Sequence, residues 1–83
     1  MALFMDVHRL GESVALEDVE KAHAADLATQ GKYGVHYLRY WVDEAEGQIF
    51  CLVDAPDPEA ANQVHKKAHG LVADEIYRVS EHS

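Results

Sequence analysis

The chain has 83 residues, of which 48% are apolar and 27% charged, a balance typical of folded globular proteins. This length suits one small domain, which we expect to span residues 1–83. The 15 acidic and 7 basic side chains give a net charge of −8, which would repel phosphates and anionic lipid headgroups. Composition therefore argues against nucleic acid and membrane surfaces as partners.

The amino-terminal residues and the cysteine content both favour a cytoplasmic location. The first residues include Asp6 and Arg9, which come too early for a signal sequence, and no apolar run approaches the roughly 18 residues of a spanning helix. Cys51 is the only cysteine, so no intramolecular disulfide forms and a reducing environment is favoured. We predict a cytoplasmic protein in which Cys51 is a small buried apolar residue.

Residue patterns along the chain predict four strands and two helices in the order βαββαβ. Gly31 is expected to end the first helix, Asp57 to cap the second and Gly70 to end it, while Gly47 closes a hairpin turn between the second and third strands. The predicted strands are 2–8, 35–42, 48–53 and 71–79, and the predicted helices are 16–30 and 58–69.

This order predicts an α+β, ferredoxin-like fold, in which a four-stranded antiparallel sheet carries both helices on one face. The uncovered face is expected to present Phe4 and other apolar side chains. Apolar sheet faces rarely remain in water, and a short chain gains stability by burying more surface. We therefore predict a homodimer that packs sheet against sheet.

His65 and His69 lie four residues apart on the second predicted helix, so that both rings project from one side and suit a shared metal ion. The helical pattern centres the buried stripe on Val64, with His65 at its edge and His69 nearer solvent. The alternative is a solvated helix face. The fold brings further donors to the same end of the sheet: Asp6, His8, Asp74 and Glu75.

The first predicted helix turns His23 inward and places Asp26 near the edge of its apolar arc. Such buried polar groups either satisfy one another or line a small pocket. His36 in the second strand and His82 in the carboxyl-terminal tail are additional candidate ligands. The apolar positions of this arc are Leu16, Val19 and Leu27.

Several sequence segments, which together extend over nearly the whole chain, are similar to those of a known protein family. The chain resembles the small bacterial nickel-binding proteins, a family formerly classed as a domain of unknown function. The resemblance implies a ferredoxin-like dimer that binds nickel at surface sites and sequesters it. Ala15 departs from the pattern, since related sequences often have a helix-capping threonine there. The segments are MDVHRL (5–10), AHAADL (22–27), KYGVHYLRYWVDE (32–44), FCLVDAP (50–56) and HKKAHGLVADEIYRVSE (65–81).

Imidazole and carboxylate donors suit Ni²⁺, and they also suit Zn²⁺ or Cu²⁺. The alternative function is that of a small dimeric ferredoxin-like enzyme, of monooxygenase or isomerase type, whose pocket surrounds His23 and Asp26. A plain interaction module is a third class, which would need no histidines. The candidate metal ligands within the matching segments and the tail are His65, His69, His8, Asp6, His36 and His82.

Overall fold

The computed structural model describes residues 2–83 and confirms the ferredoxin-like α+β fold. Its strands pair in the antiparallel order β2-β3-β1-β4, and both helices pack on one face of the sheet. In chain order the elements are β1 (Ala2–Arg9), α1 (Leu16–Thr29), a 3₁₀ turn (Gln30–Tyr33), β2 (His36–Asp43), β3 (Gln48–Ala55), α2 (Pro58–Ala68) and β4 (Glu75–Arg78).

The first helix does not end at Gly31 in the way that the sequence predicts. A 3₁₀ turn follows α1 directly and runs through Gly31, and the left-handed residue is Gly34, with φ of 66°. The amide of Gly34 donates to the carbonyl of Gly31 over 3.3 Å, which closes the turn before β2 begins. The prediction that Gly31 ends the helical segment is therefore wrong by one short turn.

The last strand is shorter than predicted, because β4 begins only at Glu75. Among the residues just before it, Asp74 bonds to the neighbouring strand, since its amide donates to the Val7 carbonyl of β1 over 2.9 Å, while two earlier amides donate to side chains. The amide of Leu71 donates to His69 Nδ1 over 3.1 Å, and that of Ala73 donates to Asn62 Oδ1 over 3.0 Å. These local bonds hold the link between α2 and β4 as a loop.

The two helices begin in different ways. Asp57 caps α2 as predicted, since its Oδ1 accepts from the Ala60 amide over 2.8 Å. Ala15 offers α1 no side-chain cap, and the amide of Leu16 instead donates to Glu44 Oε1 of the β2–β3 turn over 3.1 Å. Within residues 2–83, neither helix combines the length and apolar character needed to cross a bilayer.

The β2–β3 turn is also closed against the loop between β1 and α1. Gly47 has φ of 68°, and its carbonyl accepts from the Leu10 amide over 2.8 Å. A Cβ atom at position 47 would lie 1.8 Å from the Glu12 carbonyl oxygen. Glycine is therefore required at position 47 by its backbone conformation and by the close approach of the two loops.

The core lies between the helices and the sheet, and it includes Phe4. The prediction that Phe4 faces outward is wrong, because β1 turns its even-numbered residues toward the helices. The uncovered face carries Met5 beside its cross-strand neighbour Leu52, together with the half-exposed Trp41. The buried core residues are Phe4, Val35, Tyr37, Cys51, Val53, Ala55, Ala61 and Val64.

Candidate functional site

Two side chains of β1 and one of α2 meet beneath the helices. Asp6, His8 and His65 are 0%, 4% and 1% exposed. His65 Nε2 lies 2.8 Å from Asp6 Oδ2 and 3.3 Å from His8 Nε2, and His8 Nε2 lies 3.2 Å from Asp6 Oδ1. The expected proximity of Asp6 and His8 to the end of α2 is confirmed.

A second carboxylate holds His65 from the opposite side of its ring. Asp26 of α1 is buried, and its Oδ1 lies 3.0 Å from His65 Nδ1. The same oxygen lies 3.0 Å from His69 Nε2. The imidazole of His65 therefore sits between two carboxylates that come from different elements of the fold.

Tyr37 of β2 completes the hydrogen bonding around this ring. Its hydroxyl donates to Asp6 Oδ2 over 2.9 Å, and it lies 2.7 Å from His65 Nε2. Asp6 Oδ2 is thus satisfied, whereas Asp6 Oδ1 accepts no hydrogen bond of good geometry within residues 2–83, although His8 Nε2 lies 3.2 Å from it. An unpartnered buried carboxylate oxygen is uncommon, since such groups normally find a donor.

Cys51 also belongs to this cluster. It pairs across the strands with Asp6 in the register of β1 and β3. The sulfur of Cys51 and single donor atoms of Asp6, His8 and His65 all lie within 4.8 Å of one another. A second set with the same spacing consists of Asp26, His65 and His69. The two sets share His65.

Burial and charge shift the pKa values of these groups. Burial alone would lower the pKa of His65, but hydrogen bonds to Asp26 and Asp6 outweigh it and raise that pKa to about 9. Burial alone would raise the pKa of Asp6, but the hydrogen bond with His65 and the close contact with the His8 imidazole hold it well below its usual value. The metal-free cluster therefore carries an imidazolium between carboxylates at neutral pH.

The remaining groups keep their protons or stay neutral. Burial, reinforced by the negative charge of Asp6, raises the pKa of both the Tyr37 hydroxyl and the Cys51 thiol. Burial lowers the pKa of His23, and the Asp26 carboxylate only partly opposes that shift. His23 is half-buried and packs on Tyr40, with ring centres 4.4 Å apart.

A small cavity opens beside the cluster, between α1, α2 and the sheet. The cavity has a volume of about 30 Å³, which is enough for one or two water molecules. Both donor groups and apolar side chains line it. The polar lining comes from His8, His23, Asp26, Cys51, His65 and His69, and the apolar lining from Val19, Ala22, Tyr40, Ile49 and Leu71.

His65 was expected at the edge of the buried stripe of α2, and this prediction is wrong. The buried residues of α2 are Ala61, Val64 and His65, so the stripe centres between Val64 and His65. Of the donors expected at surface sites, Asp6, His8 and His65 are buried instead. His69 is half-buried.

The inward face of α1 is also rotated from its predicted position. Leu16 and Leu27 are 41% and 45% exposed, whereas Val19 and Asp26 are buried. His23 is half-buried. The inward arc therefore follows Val19, His23 and Asp26, because α1 turns its acid toward His65 of α2.

Four residues considered from the sequence lie apart from the cluster. Asp74 accepts from the Arg9 amide over 2.6 Å, and Glu75 pairs with the Arg9 guanidinium. His36 is exposed on β2, and the exposed His82 lies 2.7 Å from Ser80 Oγ. Each of these four side chains makes a local contact or is exposed to solvent, and none belongs to the cluster around His65.

Sequence reasoning left Cys51 out of the site and placed Asp26, together with Tyr37 or Tyr40, only in the pocket of the enzyme alternative. A signal for Cys51 existed in the strand pairing, since antiparallel β1 and β3 place it opposite Asp6. No local pattern could bring Tyr37 or Asp26 to His65, because these contacts span 28 and 39 residues of chain.

Comparison with known proteins assigns the chain to a family. Residues 4–79 match the model of the family described as nickel responsive protein SCO4226-like. The chain is also similar to SCO4226 from Streptomyces coelicolor A3(2), known from a crystal structure, with 41% identity and a TM-score of 0.91 over 99% of this chain and 100% of that one. No curated protein matches the chain in sequence. The chain therefore belongs to the SCO4226-like family of nickel-responsive proteins.

Proposed function

We propose that the protein binds Ni²⁺ at the cluster around His65 and thereby sequesters the ion. The observation that carries this proposal is the meeting of Asp6, His8 and His65 at one point, with one carboxylate oxygen unpartnered. The family description, nickel responsive, supports the choice of metal. The same nitrogen and oxygen donors also suit Zn²⁺ and Cu²⁺.

The distances within the cluster fit a shared cation. Metal–ligand bonds of about 2.1 Å at right angles place neighbouring donors about 3.0 Å apart. The separations among Asp6, His8 and His65 are 2.8, 3.2 and 3.3 Å. A cation bound there would replace the positive charge of the His65 imidazolium beside Asp6 and would bind Asp6 Oδ1, which accepts no hydrogen bond of good geometry within residues 2–83.

The cavity favours an ion over an organic substrate. Its volume of about 30 Å³ is far below the roughly 300–1,000 Å³ of small-molecule sites. Although His23 and Asp26 line it, as expected for the enzyme alternative, the space suits an ion with one or two water molecules. The proposal therefore places a metal, and not an organic molecule, beside these groups.

We also propose a homodimer that buries the uncovered face of the sheet. Trp41 on this face is 48% exposed, and it borders a groove of about 290 Å³ with Met5 and Leu52. Apolar surface of this kind favours association, and a twofold pairing would bring both copies of Trp41 to one interface.

Calorimetric titration with NiCl₂ tests the metal proposal. We expect His65→Gln and His8→Gln each to weaken nickel binding about tenfold or more, since each removes one of few nitrogen donors. His82→Gln is the matched control, because His82 is exposed in the tail, and it should bind like the parent. Circular dichroism verifies that each variant folds.

Parental nickel affinity in both His65→Gln and His8→Gln would overturn the proposal. The ligands would then have to be sought among the exposed histidines, His36 and His82. No nickel binding by the parent protein would also overturn it.

A further inference from the structure

The thiol of Cys51 lies beside Asp6 and His8, the buried polar side chains of β1, although most of the surrounding core is apolar. Cys51 is itself buried, and its sulfur lies within 4.8 Å of donor atoms from Asp6, His8 and His65. Its side chain projects from β3 on the same face as that of its cross-strand partner, Asp6. The sulfur is therefore positioned to act together with a carboxylate and two imidazoles.

Asp6 supplies an independent observation that points to a bound cation. Its carboxylate is fully buried, and Oδ2 takes the hydrogen bonds from Tyr37 and His65. Oδ1 accepts no hydrogen bond of good geometry within residues 2–83, and the donor atom beside it is Nε2 of His8, another candidate ligand, at 3.2 Å. Leaving such an oxygen unpaired costs free energy, and a cation bound to it would remove that cost.

The orientation of His65 distinguishes between the two donor sets. Nδ1 is held by Asp26, whose Oδ1 also contacts His69, while Nε2 faces Asp6 and His8. Histidines that bind metals usually donate their other ring N–H to a carboxylate. Asp26 therefore occupies the supporting position behind the ring, and Nε2 is the nitrogen directed at the ion.

We infer that Cys51 is a metal ligand, whose thiolate completes an inner site with Asp6, His8 and His65. Asp26 is then a positioning residue for the His65 ring. This inference rests on the proposed function and adds a soft donor to it. One thiolate, two imidazoles and one carboxylate favour borderline ions such as Ni²⁺ and disfavour Mg²⁺ and Mn²⁺.

Binding at this site changes bonds without changing oxidation states. As the metal–sulfur bond forms, the S–H bond of Cys51 breaks, the sulfur donates an electron pair to the ion, and the proton leaves to solvent. The Nε2 proton of His65 leaves in the same way, and its lone pair goes to the ion. No oxidant or reductant takes part.

The test combines near-ultraviolet absorption with calorimetry during titration of the full chain with NiCl₂. The parent should develop a thiolate-to-nickel charge-transfer band that saturates along the calorimetric binding curve. Cys51→Ser should lose the band and about tenfold or more in affinity. Asp26→Asn should keep the band while its affinity falls about 10- to 100-fold. Cys51→Ala repeats the first measurement if the serine variant misfolds.

The outcomes separate this inference from the proposed function. Nickel binding in calorimetry without a charge-transfer band, together with parental affinity in Cys51→Ser or Cys51→Ala, would overturn the role of Cys51 and leave nickel binding intact. A band lost in Asp26→Asn would overturn the supporting role of Asp26. Absence of binding by the parent would overturn the proposed function itself.

Discussion

The helix-covered face of the sheet buries charged side chains, whereas the uncovered face exposes apolar ones. Under the helices, Asp6 is 0% exposed and His65 is 1% exposed. On the other face, Trp41 is 48% exposed and borders a groove with Met5. Each face thus carries the residue type that is costly in its surroundings, so neither arrangement is explained by the stability of an isolated chain.

The two faces compensate for that cost by different means. On the covered face, the His65 imidazole is hydrogen-bonded to the carboxylates of Asp6 and Asp26 within the chain. On the uncovered face, no side chain within residues 2–83 covers Trp41, which is 48% exposed, and the second copy of the proposed dimer would cover it. The covered face therefore carries the candidate metal site, and the uncovered face carries the surface of the proposed dimer.

Removal of the Asp6 carboxylate should have the largest effect. Asp6→Ala leaves the His65 imidazolium buried against one carboxylate instead of two, and breaking a buried ion pair typically costs about 3–5 kcal/mol. Chemical denaturation of the metal-free protein measures this loss. Glu20→Gln changes an exposed acid of α1 and should alter stability by less than about 0.5 kcal/mol. Equal stability of Asp6→Ala and the parent would show that the cluster is not charged.

The pH dependence of unfolding should follow His65. Its folded pKa of about 9 lies above the usual 6.5, so its stabilisation is fully present below about pH 6.5 and is lost as pH rises through about 9. We expect the metal-free protein to lose about 2–3 kcal/mol between pH 6 and pH 9. Urea denaturation at several pH values measures this slope.

The matched variant for this titration is His65→Gln, in which the loss of stability between pH 6 and pH 9 should largely disappear. At acidic pH the sign reverses for Asp6, because its lowered pKa gives stabilisation that is lost as pH falls below its usual 3.8. A parent protein whose stability is unchanged from pH 6 to pH 9 would contradict the imidazolium assignment.

A charge on the uncovered face should break the proposed dimer. Trp41→Glu places two like charges in the interface, and we expect the dimer Kd to rise about tenfold or more. Sedimentation equilibrium measures it. Leu27→Glu is the control, since Leu27 is similarly exposed at 45% but lies on α1. Equal dissociation of both variants, or a monomeric parent, would rule out this face as the interface.

The Tyr37 hydroxyl should contribute the smallest effect. Tyr37→Phe removes the hydrogen bond to Asp6 while keeping the ring in the core, and we expect a loss of about 1 kcal/mol. Thermal unfolding measures it. Tyr40→Phe changes a half-buried tyrosine packed on His23 and should change stability by less than about 0.5 kcal/mol. A larger loss in Tyr40→Phe than in Tyr37→Phe would contradict this reading of the network.

Local patterns were sufficient to predict the order of the elements and the cap at Asp57, because alternation, capping and glycine turns depend on neighbouring residues. The meeting of Asp6, His8 and His65 was predictable from topology. The rotation of α2, which buries His65 with Ala61 and Val64, was not, since polar residues are normally assigned to the outer face. The actual partners of His65 are distant in sequence and offer no short-range signal.

The turn around Gly47 has a practical consequence for engineering. It looks like an ordinary solvent-facing hairpin, yet its backbone touches Glu12 so closely that a methyl group would collide. Glu44 of the same turn accepts a hydrogen bond from the first amide of α1. This helix carries Asp26, which contacts His65. Affinity tags, insertions and fluorescent labels placed in this hairpin should therefore disturb the metal cluster from a distance, whereas the exposed tail at Ser83 is the safer position for a fusion.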